Sequence, residues 1–120
     1  MPPNRKPKFI VLYRWRLIPG TEQKFVDAWA RVSECFLMKA GSLGSRLHLG
    51  NDGLWYSYAQ WPCREDRERA FVLGLVDEET MRQMRASIAE SFPEIILESI
   101  ADFLVAAARQ PAVGTSGREQ

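Results

Sequence analysis

The sequence has one histidine, His48, and two cysteines, Cys35 and Cys63, which form no CxxC motif. A structural zinc site needs about four nitrogen or sulfur ligands at close spacing, so no metal site is expected. No glycine-rich loop has phosphate-cradling spacing, which leaves no credible flavin or nicotinamide site. The expected cofactor complement is none. No apolar run approaches the roughly 18 residues of a membrane helix. The N-terminus has no charged region followed by an apolar core, so no secretory signal is expected. The formal net charge is only +1, which gives no electrostatic footprint for nucleic acid. The single basic run, Asn4 to Lys8, reads as a solvated tail rather than a phosphate site. These absences point to a cytoplasmic protein with free thiols, without membrane or nucleic-acid partners.

What is present is enough for one core. The chain has 120 residues, 46% of them hydrophobic and 26% charged, which suits a single globular domain. "KFIVLYRWRL", Lys8 to Leu17, is β-branched and aromatic and reads as a first strand. Pro19 and Gly20 stop it. Thr21 is placed to cap a helix in which Phe25, Ala28, Trp29, Val32, Cys35 and Phe36 recur at three- and four-residue steps to about Lys39. Gly41 sits where the helix end favours a left-handed residue. Leu43 to Leu49 and Leu54 to Trp61 are strands around the turn signal Asn51-Asp52-Gly53. Pro62 ends the second of them. Arg64 to Leu73 and Glu78 to Phe92 read as helical, the latter with Met81, Met84, Ile88 and Phe92 on one side, and Pro93 breaks it. Ile95 to Val105 reads as a last strand, although "ADFLVAAA" is equally compatible with helix. Flexible tails are expected at 1–7 and 106–120 around a domain at 8–105. The order β-α-β-β-α-β predicts an α+β, ferredoxin-like antiparallel sheet with its helices on one face.

The third strand carries large aromatics on both faces. Side chains alternate across a strand, so Trp55, Ser57, Ala59 and Trp61 share one face, and Leu54, Tyr56, Tyr58 and Gln60 the other. A two- or four-residue turn puts Gly44, Arg46 and His48 on the Trp face; a three- or five-residue loop inverts this. Helices can cover only one face. The other is left apolar, and a second copy packing sheet against sheet is the simplest cover, so a homodimer is expected. The alternative is that Tyr56 and Tyr58 lie half exposed with their hydroxyls in water. On the Trp face, small Ser57 and Ala59 lie between two indoles. They leave either a pocket beside Arg46, His48 and a strand-one side chain, or plain packing of Trp55 and Trp61 against Phe25, Trp29 and Phe36.

The runs "RWRLIPGTEQKFVDAWARV", "GSLGSRLHLGNDGLWYSYAQWPCRED" and "EETMRQMRASIAESF", in that order, resemble the antibiotic biosynthesis monooxygenase-like family of dimeric α/β barrels over about Phe9 to Val105. The likeness lies in a strand ending in Pro-Gly before an amphipathic helix, a Gly-Ser-Leu-Gly-Ser opening to strand two, and a strand-three Trp followed by a short helical stretch. It implies two ferredoxin-like subunits joined into a barrel, each with a cleft between helices and sheet. It also implies metal- and flavin-free oxygenation of an anthrone- or quinol-like aromatic. Trp61 matches the family's pocket Trp. Tyr13 stands where haem-degrading members place Asn, and Arg64 to Phe92 holds no histidine, so haem degradation is not implied.

The candidate catalytic residues are therefore His48, as a base near neutral pH, and Tyr13, as a hydrogen-bonding partner of a phenolic oxygen. Trp61, Trp55, Arg46, Arg82 and Arg85 are the candidate substrate-binding residues, the arginines as partners for a substrate anion. For each arginine the alternative is solvated surface, and for His48 a satisfied strand-edge position. A non-catalytic ligand-binding or regulatory dimer, or an isomerase or cyclase on the same scaffold, remain the competing functions.

Overall fold

The computed structural model describes residues 9–105; the tails expected at 1–7 and 106–120 lie outside the described residues. The elements in chain order are β1 (Phe9–Leu17), α1 (Glu22–Lys39), β2 (Gly44–Leu49), β3 (Trp55–Trp61), α2 (Arg64–Val72), α3 (Glu78–Ala86), β4 (Ile88–Ser91) and β5 (Ile95–Leu97). The sheet is antiparallel in the order β2-β3-β1-β4, with β5 also on β1. This is the α+β ferredoxin-like arrangement expected from the sequence, with two elaborations. The second helical position is filled by two helices, at the two stretches expected to be helical, Arg64 to Leu73 and Glu78 to Phe92, the latter shortened. The last strand is two short pieces sharing an edge of β1, β4 at Trp15–Leu17 and β5 at Ile10–Leu12.

Helix α1 forms where its periodicity places it, with Phe25 and Ala28 fully buried against the sheet. Its N-terminus departs from expectation. The Thr21 side chain does not cap the helix; its hydroxyl donates to the Ile18 carbonyl at 2.7 Å, while the Glu22 carboxylate accepts the Gly20 N–H at 3.0 Å. At the other end, Gly41 takes φ +80° and Ser42 N–H returns to the Phe36 carbonyl at 3.2 Å, a left-handed helix stop.

Helix α3 is shorter than its pattern suggests. Asp77 caps it, accepting Thr80 N–H at 3.0 Å, and Met81 and Met84 do share its inner side. It ends at Ala86 because the chain then pairs with β1, and the helix exit is fixed by Ser87, whose carbonyl accepts Ile18 N–H at 2.9 Å. Ile88 and Phe92 therefore follow the helix rather than lie on it. Pairing along β1 outcompetes one more helical turn. Likewise β5 keeps only Ile95–Leu97, and residues 98–105 adopt neither the strand nor the helix considered for them.

Register decides which side chains share a face. Phe9, Val11, Tyr13 and Trp15 stand opposite Trp61, Ala59, Ser57 and Trp55, and Ser45, Leu47 and Leu49 continue those rows on β2. The helices lie on this face, where Phe9, Val11, Trp61 and Ala70 form the packed core. Arg46 and His48 stand opposite Tyr58 and Tyr56, on the other face. This overturns their expected sharing with Trp55 and Trp61. The cause is the loop: Gly50 N–H pairs with the Leu54 carbonyl at 2.8 Å, leaving Asn51, Asp52 and Gly53 as a three-residue connection, and an odd loop inverts parity. Among the described residues no helix is long and apolar enough to cross a membrane.

Candidate functional site

Three small residues in the sheet make room beneath the helices. Ser45, Ser57 and Ala59 lie side by side on β2 and β3, where larger side chains would fill the space. The result is a cavity of about 460 Å³ between sheet and helices, within the range of small-molecule sites. Tyr13, Trp15 and Trp61 join the small residues on its floor. Trp29, Val32 and Phe36 of α1 form its roof. Phe71 of α2, the connection Gly74–Val76, and Met81, Met84 and Arg85 of α3 close its side. The wall is thus mainly aromatic, with two methionines, which adapt to irregular ligand outlines. The rim reaches solvent at Glu78 and Phe71, both cavity-lining and exposed.

The polar groups are few and specifically held. The Tyr13 hydroxyl accepts an N–H from Arg67 Nη2 at 3.0 Å. The Arg67 guanidinium also lies 4.6 Å from the centre of the Phe71 ring on its own helix and pairs with Glu94 of the β4–β5 connection. Burial is the largest influence on the Tyr13 phenol and raises its pKa above 10.0, with Arg67 opposing and Glu94 adding to the rise. Tyr13 is therefore a neutral hydroxyl at physiological pH, a hydrogen-bond donor rather than a base. Trp29 Nε1 donates to Ser57 Oγ at 3.0 Å, and Ser45 Oγ donates to Ser33 Oγ at 3.0 Å. The Trp61 indole N–H is buried and has no partner among the described residues; a native orphan donor calls for an explanation.

Of the expected site residues, Tyr13, Trp61 and Arg85 meet at this cavity. Arg85 is at the rim, paired with Glu78 at 3.2 Å. Trp55 is on the correct face but off the cavity, packed edge-on to Phe25 at 6.3 Å between ring centres. Trp15 and Trp29 supply the indoles instead. Arg82 is on the solvent side of α3, paired with Glu79. Arg46 and His48 lie across the sheet, exposed. Neither reaches the cavity from there.

Arg67 and Ser57 are the contributors that sequence reasoning missed as functional groups. Helix α2 reads "REDRERAFV", too charged for an amphipathic signal. The available clue was Arg67 one helical turn before Phe71 with Ala70 beside it, which places an arginine and an aromatic along one side. Among the described residues, no group of three or more His, Cys, Asp or Glu side chains is placed to hold a metal ion.

No protein-family model matches the chain, and no curated protein matches it. Solved structures do. SnoaB, a cofactor-independent oxygenase from Streptomyces nogalater, superposes with a TM-score of 0.67 at 17% identity, covering 82% of this chain and 98% of that one. A provisionally named antibiotic biosynthesis monooxygenase from Bordetella bronchiseptica gives 0.68 at 15% identity, covering 80% and 100%. Another so named, from Chloroflexus aurantiacus, gives 0.66 at 12% identity, covering 82% and 98%. The likeness to the antibiotic biosynthesis monooxygenases expected from the sequence is thus borne out at the level of the fold.

Proposed function

We propose that this chain is a cofactor-independent monooxygenase for a planar aromatic molecule of the anthrone or hydroquinone type, working as a cytoplasmic homodimer. The observation that carries the reading is the aromatic-walled cavity with the neutral Tyr13 hydroxyl held at its wall by Arg67. The fold shared with a cofactor-independent oxygenase raises its weight by analogy.

The chemistry asks little of the protein. An acidic C–H beside a ring system loses its proton to solvent, and the charge settles on an oxygen of the substrate. Tyr13 donates to that oxygen, and a hydrogen bond to an anion is stronger beside aromatic walls than in bulk water. The carbanion then reacts with dioxygen. For a methylene the balance is CH2 + O2 giving C=O + H2O. One oxygen atom enters the carbon and the other leaves as water with both hydrogens. The four electrons lost by the carbon reduce the dioxygen. Trp15, Trp29 and Trp61 hold the ring plane, and Arg85, paired with Glu78, stands at the rim. His48 has no part in this scheme.

The homodimer is supported by the outer face of the sheet. Leu12, Tyr56 and Tyr58 lie there half-buried, and Ile95 and Leu97 join them through β5. Beyond β5, Ile100 is 82% and Phe103 96% exposed, apolar side chains that a second copy would cover. The two free cysteines suit a reducing compartment.

A second reading is favoured by one observation: no histidine lines the cavity, and its carboxylate, Glu78, is tied to Arg85 at the rim. A non-catalytic ligand-binding dimer needs no base. Dioxygen uptake decides between the two. The purified protein, given an anthrone, should consume oxygen and yield the anthraquinone one-for-one above the background rate, and Tyr13→Phe should lower that rate. Tight anthrone binding with no uptake would leave the binding reading.

A further inference from the structure

Tyr13 and Ser57 stand directly opposite each other in the β1–β3 ladder, and both line the cavity. Each hydroxyl oxygen already accepts one N–H, Tyr13 from Arg67 and Ser57 from Trp29. Neither donates to another group among the described residues. A hydroxyl has a single proton to give, so both protons are unused. Ser57 is 3% exposed and lines the cavity, so an occupant of the cavity is the acceptor placed to take its proton. The two side chains differ in reach. Serine ends close to the sheet, whereas the tyrosine ring carries its hydroxyl out to Arg67 of α2.

We infer, resting on the cavity-binding reading above, that Tyr13 and Ser57 form a paired donor clamp for a planar aromatic ligand carrying two acceptor oxygens on different edges of its ring system, as a quinone does. Arg67 and Trp29 are positioning residues: by occupying the acceptor side of each hydroxyl they turn its proton to the ligand. The clamp offers two protons, and each hydroxyl oxygen already accepts one N–H, so a carbonyl or deprotonated oxygen, which needs only a donor, is preferred to a neutral phenol, whose own O–H must compete for the remaining acceptor capacity. Two consequences follow for the proposed reaction. The substrate is held best as its anion, and the quinone product is a competitive inhibitor.

Anthraquinone-2-sulfonate and anthracene-2-sulfonate share one frame and one solubilising group but differ by the two carbonyl oxygens. Binding of both to the full chain, measured by calorimetry, tests the clamp. The quinone is expected to bind at least about tenfold more tightly, the worth of two modest hydrogen bonds. Ser57→Ala and Tyr13→Phe should each weaken the quinone about threefold to tenfold and leave the hydrocarbon within a factor of about two. Trp29→Phe keeps the Ser57 hydroxyl but frees its direction, and should also reduce discrimination. That variant carries the test if Ser57→Ala fails to fold. Equal binding of the two probes, or variants that weaken both alike, would overturn the clamp and leave the cavity reading standing. No binding of either probe would overturn both.

Discussion

The guanidinium of Arg67 donates to the Tyr13 hydroxyl across 3.0 Å and lies over the same ring, 5.7 Å from its centre. One residue of α2 thereby fixes the orientation of a phenol on β1. Arg67→Ala should raise the Tyr13 pKa further, because the positive charge opposing the effect of burial is gone. It also leaves Glu94 and a buried hydroxyl without their partner, at a cost of about 1–3 kcal/mol. Ultraviolet titration of the phenol and urea unfolding measure the two effects. A Tyr13 that titrates lower in the variant would show that Arg67 does not govern it.

Tyr13 also predicts how stability responds to alkali. Its folded pKa lies above the ordinary 10.0, so the folded state holds the proton more tightly than the unfolded chain. Below about pH 10 the phenol is neutral in both states and the linkage is silent. As pH rises through the folded pKa, unfolding releases a proton and stability is lost. The difference in unfolding free energy between wild type and Tyr13→Phe should therefore be flat from neutral to mildly alkaline pH. It should move in favour of the phenylalanine variant above that range.

Trp61 is both core and cavity wall. It is 2% exposed, packs with Phe9, Val11 and Ala70, and meets Phe36 at 5.6 Å between ring centres. Trp61→Ala should cost about 3–5 kcal/mol and weaken aromatic ligands as well. Trp61→Phe should restore most of the stability and less of the binding, since the indole N–H stays missing. A Trp61→Ala protein with an unchanged melting temperature would contradict its burial.

His48 separates the two faces of the sheet experimentally. It sits beside Tyr56, across β2 from the cavity. His48→Ala should leave turnover of an anthrone within a factor of about two, well short of the 10²–10⁴-fold loss of a general base. A loss of that size would return the base to His48 and place the chemistry on the outer face.

The case of His48 shows where sequence reading succeeded and where it stopped. Alternation along β3 correctly grouped Trp55, Ser57, Ala59 and Trp61, because period two is a property of one strand. Placing β2 beside them needed the loop length, and "GNDGL" is compatible with loops of either parity until Gly50 pairs with Leu54. One residue of register moved Arg46 and His48 through the sheet. The cavity itself was legible in the small residues Ser57 and Ala59. Its polar lock was not, because the pairing of Arg67 with Tyr13 joins residues 54 positions apart and no local pattern encodes it. The end of α3 failed for a similar reason: Ile88 fits the helical period, but the free edge of β1 captures it.

The proposed homodimer rests on side chains that one chain leaves in water. Phe103 is 96%, Leu104 87% and Val105 90% exposed, and burying each on a partner would contribute about 1.5–3 kcal/mol. Charge favours the outer sheet face as the receiving surface. It presents Arg46, which is in no ion pair among the described residues, whereas the segment bearing these apolar residues carries Glu98 and Asp102. A twofold arrangement lets each segment cross the other's sheet. The double variant Phe103→Asp and Leu104→Asp places new carboxylates in that interface and should shift a micromolar dimer toward monomer by sedimentation velocity. Arg46→Glu should weaken the same dimer, because it sets like charge against Glu98 and Asp102. The melting temperature of wild type should rise with protein concentration, and that of the double variant should not. A wild-type protein that sediments as a monomer at micromolar concentration would remove the dimer, and with it this account of the exposed segment.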